Sequence, residues 1–146
     1  IKELMIRVCV LGSIASGKSF ISKLFNCPIF NADMEVVDIY KKDKSCFKKL
    51  NKKFPNHVKS FPIKKSELIN AISSNNKSLK LISSIVHPIV RERMKKFLKE
   101  KKNSKMIVLD VPLLIENKLN KKNDILIFIN TQKKKILARV KKRKYY

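Results

Sequence analysis

Apolar positions fall into two patterns along the chain. Nearly unbroken apolar runs occupy residues 6–11, 29–31, 106–109 and 125–129. Runs of that length, bounded by turn residues or charges, predict strands, and the first reads as a strand buried on both faces. Elsewhere the apolar residues recur at helical spacing, with lysine filling the gaps. Residues 17–26 place Phe20, Ile21, Leu24 and Phe25 on one face, which predicts that all four pack on the sheet. The same spacing predicts helices over 34–42 (Val36, Val37, Tyr40), 45–54 (Phe47, Leu50, Phe54), 66–74 (Leu68, Ile69, Ile72) and 77–86 (Leu79, Ile82, Ile85, Val86). His87-Pro88 predicts a break, with Pro88 opening a further helix to about residue 102. Thr131 is placed to cap a last helix over 132–144, with Ile136, Leu137 and Val140 inward.

Residues 34–103 are thus helical throughout and lie between two strands. That is too long for a simple crossover, so it reads as an inserted helical lobe. The flanking segments 1–33 and 104–138 form the core, and 139–146 begin something further. Open parallel sheets gather chemistry at the carboxyl ends of their strands. Three candidates lie there: the turn after the first strand, Asp33 after the second and Asp110 closing the third.

The turn after the first strand carries the most specific signal. Gly12, Gly17, Lys18 and Ser19 spell G-x-x-x-x-G-K-S between a strand and an amphipathic helix. The chain holds only two glycines, and both are in this motif. Backbone N–H groups of such a loop converge on phosphate oxygens. Lys18 reaches the β- and γ-phosphates of a nucleotide, and Ser19 offers its hydroxyl to Mg²⁺. The nucleotide-binding stretch is therefore Gly12, Ser13, Ile14, Ala15, Ser16, Gly17, Lys18 and Ser19. Four apolar residues ending in Asp110 form the matching carboxylate signature, assigned to the metal together with Ser19. The loop implies a nucleoside triphosphate and does not name the acceptor.

Composition narrows the class. The 146 residues suit one domain with a small inserted lobe, and a 44% hydrophobic content supports a real core. No apolar run is long enough to span a bilayer and no signal peptide is evident, so the expectation is a soluble cytoplasmic protein without a membrane partner. Cys9, Cys27 and Cys46 lack metal spacing and read as reduced and structural. The formal charge of +24 invites a nucleic-acid reading. Lysine, however, far outnumbers the five arginines (Arg7, Arg91, Arg93, Arg139, Arg143) and is spread over the whole chain. Arginine forks with interleaved aromatics, the usual grammar of a nucleic-acid groove, are missing. The expectation is therefore no specific nucleic acid and a small, phosphate-rich substrate.

Taken in order, several segments resemble the dephospho-CoA kinase family of P-loop kinases. They are the loop at Gly12–Ser19, PIFNAD ending in Asp33, HPIVRE from His87 to Glu92, and DVPLLIE from Asp110 to Glu116. Arg139 and Arg143 fall where that family's lid begins. The resemblance implies an α/β P-loop NTPase three-layer sandwich with a mostly parallel sheet and an inserted helical CoA-binding lobe. It implies ATP and Mg²⁺ as cofactors and dephospho-CoA as substrate; the oligomeric state stays open, with a monomer the expectation. It carries Asp33 over as the base for the ribose 3′-hydroxyl. It assigns Lys18 to ATP, Arg139 to charge on the transferring phosphoryl, and His87, Arg91, Pro112 and Leu113 to the substrate side. On the residues alone, Asp33 and Asp110 also suit caps, His87 a helix-breaking hydrogen-bonder and Arg139 a solvated helix position. His57 reads as a surface loop residue. A P-loop kinase for another small acceptor, or a nucleotide- or polyanion-binding remnant without turnover, stays open. Asn31 stands where the family usually has aspartate, and Ala15 where it usually has glycine. The family chain also continues past residue 146, through the rest of the lid, a fifth strand and a closing helix.

Overall fold

In the computed structural model, residues 4–112, 114 and 117–142 are described. The four apolar runs are β1 (Ile6–Leu11), β2 (Ile29–Asn31), β3 (Met106–Asp110) and β4 (Ile125–Phe128). They form one sheet in the order β2-β3-β1-β4, every neighbouring pair parallel. Register sets Val8 beside Val108 and Ile125, and Asn31 beside Asp110. The last pairing brings two polar side chains together at the carboxyl end of the sheet.

The chain divides into two compact units, residues 1–32 with 97–146, and Asp33–Lys96. The first holds the sheet. Val8, Val10 and Val108 are buried on one face with Phe25, Cys27, Ile29, Ile127 and Ile129 against them. Period-two alternation turns Cys9, Ile107 and Leu109 to the other face, where they are wholly buried. Phe30 meets Phe97 there, ring centroids 5.6 Å apart.

Arg7 interrupts the apolar reading of β1. Its Nε lies 3.0 Å from Oδ1 of Asp124, and both side chains are under a tenth exposed. The contact is ionic, since Nε has no hydrogen-bond partner of acceptable angle. Nη2 donates to the Leu119 carbonyl at 3.3 Å, and Asp124 Oδ2 accepts from the Lys121 N–H at 2.8 Å. The pair ties β1 to the turn that launches β4. Burial, with the Asp124 charge added, pushes the Cys9 thiol up to about 12. Burial, then Asp43, takes the Cys46 thiol to about 11. Neither is a thiolate at neutral pH, as the structural reading of these cysteines requires.

Helix α1 (Lys18–Leu24) follows the glycine loop. Phe20 and Leu24 do not pack on the sheet as their spacing predicts: they are 68% and 66% exposed. Ile21 and Phe25 are half-buried, and Ser22 is the buried residue of α1. Its small side chain, which donates to the Lys18 carbonyl at 2.8 Å, allows the close approach that a large residue would prevent.

The second unit is built from α2 (Ala32–Lys42), α3 (Lys44–Lys53), α4 (Lys65–Ser74) and most of α5 (Ser78–Glu100). Asp43 caps α3 by accepting from the Cys46 N–H at 2.8 Å. Ile39, Cys46, Leu50, Val58 and Ala71 are fully buried at its centre, and Arg93 of α5 binds Glu35 at 2.9 Å and Asp38 at 2.8 Å on α2. The expected break at His87-Pro88 is absent, because α5 runs through Pro88 for 23 residues. The proline costs the Ser84 carbonyl its helical partner. Ser84 is exposed, and buried Ile82, Val86 and Met94 hold the helix on both sides of the proline. Val37 and Leu79 are exposed rather than inward.

Glu67, in the first turn of α4, fastens the preceding loop. Burial works to raise its carboxyl. Bonds from Ser60 Oγ at 2.9 Å, Ser60 N–H at 3.2 Å and Lys59 N–H at 3.3 Å outweigh that and hold it below its ordinary 4.5. A depressed folded-state pKa contributes stability above the unfolded value, and that contribution is lost as pH falls through the folded value. Glu67→Gln is expected to cost about 1–2 kcal/mol at neutral pH. Urea unfolding at pH 7 and at pH 3 checks this: the difference between variant and parent shrinks at the lower pH.

Candidate active site

The site lies in the first unit, at the carboxyl ends of β1, β2 and β3. β1 ends at Leu11 and the chain turns at Gly12, with φ +149°. A Cβ there would lie 2.7 Å from Ser16 Oγ and 2.9 Å from the Ile129 carbonyl, so only glycine fits. Gly17, at φ +107°, precedes α1 and closes the loop. Ala15 lies between them at φ +60°, the left-handed region where an L side chain costs about 1–2 kcal/mol. Ala15→Gly relieves that strain and loses a buried methyl and some chain-entropy advantage. A net stabilisation of about 0.5–1 kcal/mol is expected by chemical denaturation.

The Lys18 ammonium folds back across the loop, donating to the carbonyls of Gly12 at 2.9 Å and Ser13 at 3.0 Å. Ser16 is buried, and its Oγ has no hydrogen-bond partner among the described residues. Two groups from the end of the chain brace the loop. Thr131 donates its hydroxyl to the Ser16 carbonyl at 2.7 Å. Arg139, on α6 (Lys133–Lys142), donates Nη1 to the carbonyls of Ala15 at 2.9 Å and Ser16 at 3.2 Å. Arg139 is therefore not a merely solvated helix position. Sequence reasoning missed Thr131 and Ile129 as loop contacts. Their one signal is position, just past a strand that pairs in parallel with β1.

Ser19 Oγ donates to Asp110 Oδ2 at 3.2 Å. Asn31 Nδ2 reaches the same Oδ2 at 3.3 Å and Ser19 Oγ at 3.5 Å. Asp110 is 4% exposed and engaged with β2 and α1, so it is more than a cap for the segment after β3. An octahedral Mg²⁺ with bonds near 2.1 Å sets adjacent ligand oxygens roughly 3 Å apart. The Ser19 and Asp110 oxygens have that spacing, so the pair fits a hard divalent cation.

Asp33, His87 and Arg91 belong to the second unit. Asp33 is exposed in the first turn of α2, two residues past Asn31. His87 and Arg91 are exposed one helical turn apart on α5. Pro112 is exposed two residues past Asp110. Leu113, Glu116 and Arg143 lie outside the described residues. A cavity of about 310 Å³ in the second unit is lined by Lys53, Phe54, His57 and Leu81 among others, and by neither His87 nor Arg91. No helix among the described residues is long and apolar enough to cross a membrane.

Residues 6–145 match the family model described as dephospho-CoA kinase. The chain is 32% identical over 124 residues to a dephospho-CoA kinase of Bartonella henselae, covering 82% of this chain and 63% of that protein. It is 30% identical over 144 residues to one of Rhizobium etli, covering 92% and 70%. A Wolbachia dephospho-CoA kinase is 35% identical over 123 residues, covering 81% and 63%. The chain thus spans less than two thirds of the length of the Bartonella henselae and Wolbachia relatives. Among solved structures, a Thermus thermophilus protein superposes with a TM-score of 0.76 at 23% identity, over 98% of this chain and 74% of that one. A dephospho-CoA kinase from Campylobacter jejuni gives 0.62 at 24% identity, over 96% and 73%. These two similarities speak for the fold.

Proposed function

This chain belongs to the dephospho-CoA kinase family, and from that premise we propose that it transfers the γ-phosphoryl group of ATP to the ribose 3′-hydroxyl of dephospho-CoA, forming coenzyme A. The observation that carries the reading is the 3.2 Å bond from Ser19 of the glycine loop to Asp110 at the end of β3. It joins a phosphate cradle to a cation-binding carboxylate.

The 3′-oxygen attacks the γ-phosphorus in line. The bond from that phosphorus to the β–γ bridging oxygen breaks, and ADP leaves with the electron pair. Such transfers are mostly positioning and electrostatics. The loop N–H groups and Lys18 hold the β- and γ-phosphates. Ser19 and Asp110 would hold Mg²⁺, which when bound would supply positive charge to the phosphates. Arg139, already held at the loop carbonyls, adds positive charge where the phosphoryl group moves. Asp33, whose carboxylate is exposed at the start of α2, accepts the hydroxyl proton. The helical unit, with His87 and Arg91, binds the CoA side, and Pro112 and Leu113 contact substrate after β3.

ADP formation by the purified chain with Mg·ATP tests this. The expected result is turnover that rises with dephospho-CoA and not with nucleoside monophosphates. Turnover with a different acceptor, or ATP binding without transfer, overturns it.

A further inference from the structure

We propose that Asn31 sets the charge of the cation site, its neutral amide clamping Asp110 and Ser19, so that the nucleotide-free chain holds a divalent cation more weakly than it would with a carboxylate at position 31. The proposal rests on the phosphoryl-transfer reading above and adds a role for a residue which that reading leaves unused. Asn31 ends β2 in register with Asp110, and its Nδ2 lies 3.3 Å from Asp110 Oδ2 and 3.5 Å from Ser19 Oγ. The amide orientation follows from charge. Turned over, Oδ1 would face a carboxylate oxygen, acceptor against acceptor. The end of Asn31 that faces the site is therefore a donor, and a donor N–H₂ does not ligate a hard cation.

Among the described residues bonded to Asn31, the cation is offered one carboxylate and one hydroxyl. Among the described residues no group of three His, Cys, Asp or Glu side chains is placed to hold a metal ion. A six-coordinate hard cation needs more oxygen and more negative charge than that. A triphosphate supplies both. Without it, the single charge of Asp110, already accepting from Ser19 and Asn31, gives weak retention. A carboxylate at position 31 would double the fixed negative charge beside the cation and remove a donor that competes for Oδ2. Asn31 is in this account a positioning residue: it acts through Asp110 and Ser19.

The test is Mn²⁺ titration of the whole chain, followed by the electron paramagnetic resonance signal of free Mn²⁺, with and without a non-hydrolysable ATP analogue. Without nucleotide, the parent and Asn31→Ala are expected to bind Mn²⁺ no more tightly than about 1 mM. Asn31→Asp is expected to bind at least about tenfold more tightly. Asn31→Glu carries the same charge on a longer arm and gives the same direction if the aspartate variant does not fold. With the analogue present, the parent takes up Mn²⁺. Tight Mn²⁺ binding by the nucleotide-free parent, no gain in either acidic variant, or an equal gain in Asn31→Ala overturns the role of Asn31 alone. Failure of the parent to take up Mn²⁺ even with the analogue overturns the nucleotide site as well.

Discussion

Asp33→Asn is expected to lower phosphoryl transfer by about 10²–10⁴-fold while leaving the binding of ATP and dephospho-CoA nearly intact. The amide keeps the size and polarity of the carboxylate but cannot accept the hydroxyl proton. Asp33 follows Asn31 by two residues, and Asn31 touches both Ser19 and Asp110. Asp110→Asn should behave differently, because that carboxylate accepts from the hydroxyl of Ser19 and, in the proposed reaction, serves the cation rather than the proton. It raises the Mg²⁺ concentration needed for turnover. Steady-state kinetics of both variants across a Mg²⁺ series separates them. Near-parental turnover by Asp33→Asn would leave the residue a mere helix-terminal acid and remove it from the mechanism.

Lys18→Ala is expected to weaken ATP binding by about 100-fold or more, since two charge-assisted bonds to phosphate oxygens are lost at about 1.5–3 kcal/mol each. The fold should tolerate the change. The carbonyls of Gly12 and Ser13 that the ammonium now caps belong to half-buried and exposed residues, so water replaces it. Calorimetric titration with ATP, alongside a thermal melt, distinguishes lost affinity from lost structure. Equal affinity in variant and parent would sink the loop as a nucleotide site.

Strands and the glycine loop were legible from residue order because each rests on a local rule. A three- to six-residue apolar run between turn signals has few other uses, and two glycines five apart before Lys-Ser have fewer. The partnership of Ser19 with Asp110 was also readable, since parallel strands bring their carboxyl ends together. Other features depend on tertiary choices that periodicity does not encode. Phe20 and Leu24 share a helical stripe with Ile21 and Phe25, yet α1 turns Ser22 and Ile21 inward. Pro88 satisfies the local rule for a break, yet buried residues on both sides carry α5 through it. The bracing of the loop by Thr131 and Arg139 joins positions more than 110 residues apart, and the position of Thr131 just past β4 is the one hint of it in the sequence. Arg7 inside β1 is intelligible only with its partner Asp124 in view. Ala15 is the reverse case. The sequence shows the residue, and the backbone at φ +60° shows what it costs.

The central claim is transfer to one oxygen of one acceptor. Incubating the chain with Mg²⁺, ATP labelled in its γ-phosphate, and either dephospho-CoA or its 3′-deoxy analogue tests it most directly, with the product resolved by mass and phosphorus spectroscopy. The account predicts label on the ribose 3′-oxygen of coenzyme A and no labelled product from the analogue. Labelled analogue, or label in neither acceptor while the chain binds ATP, would contradict it.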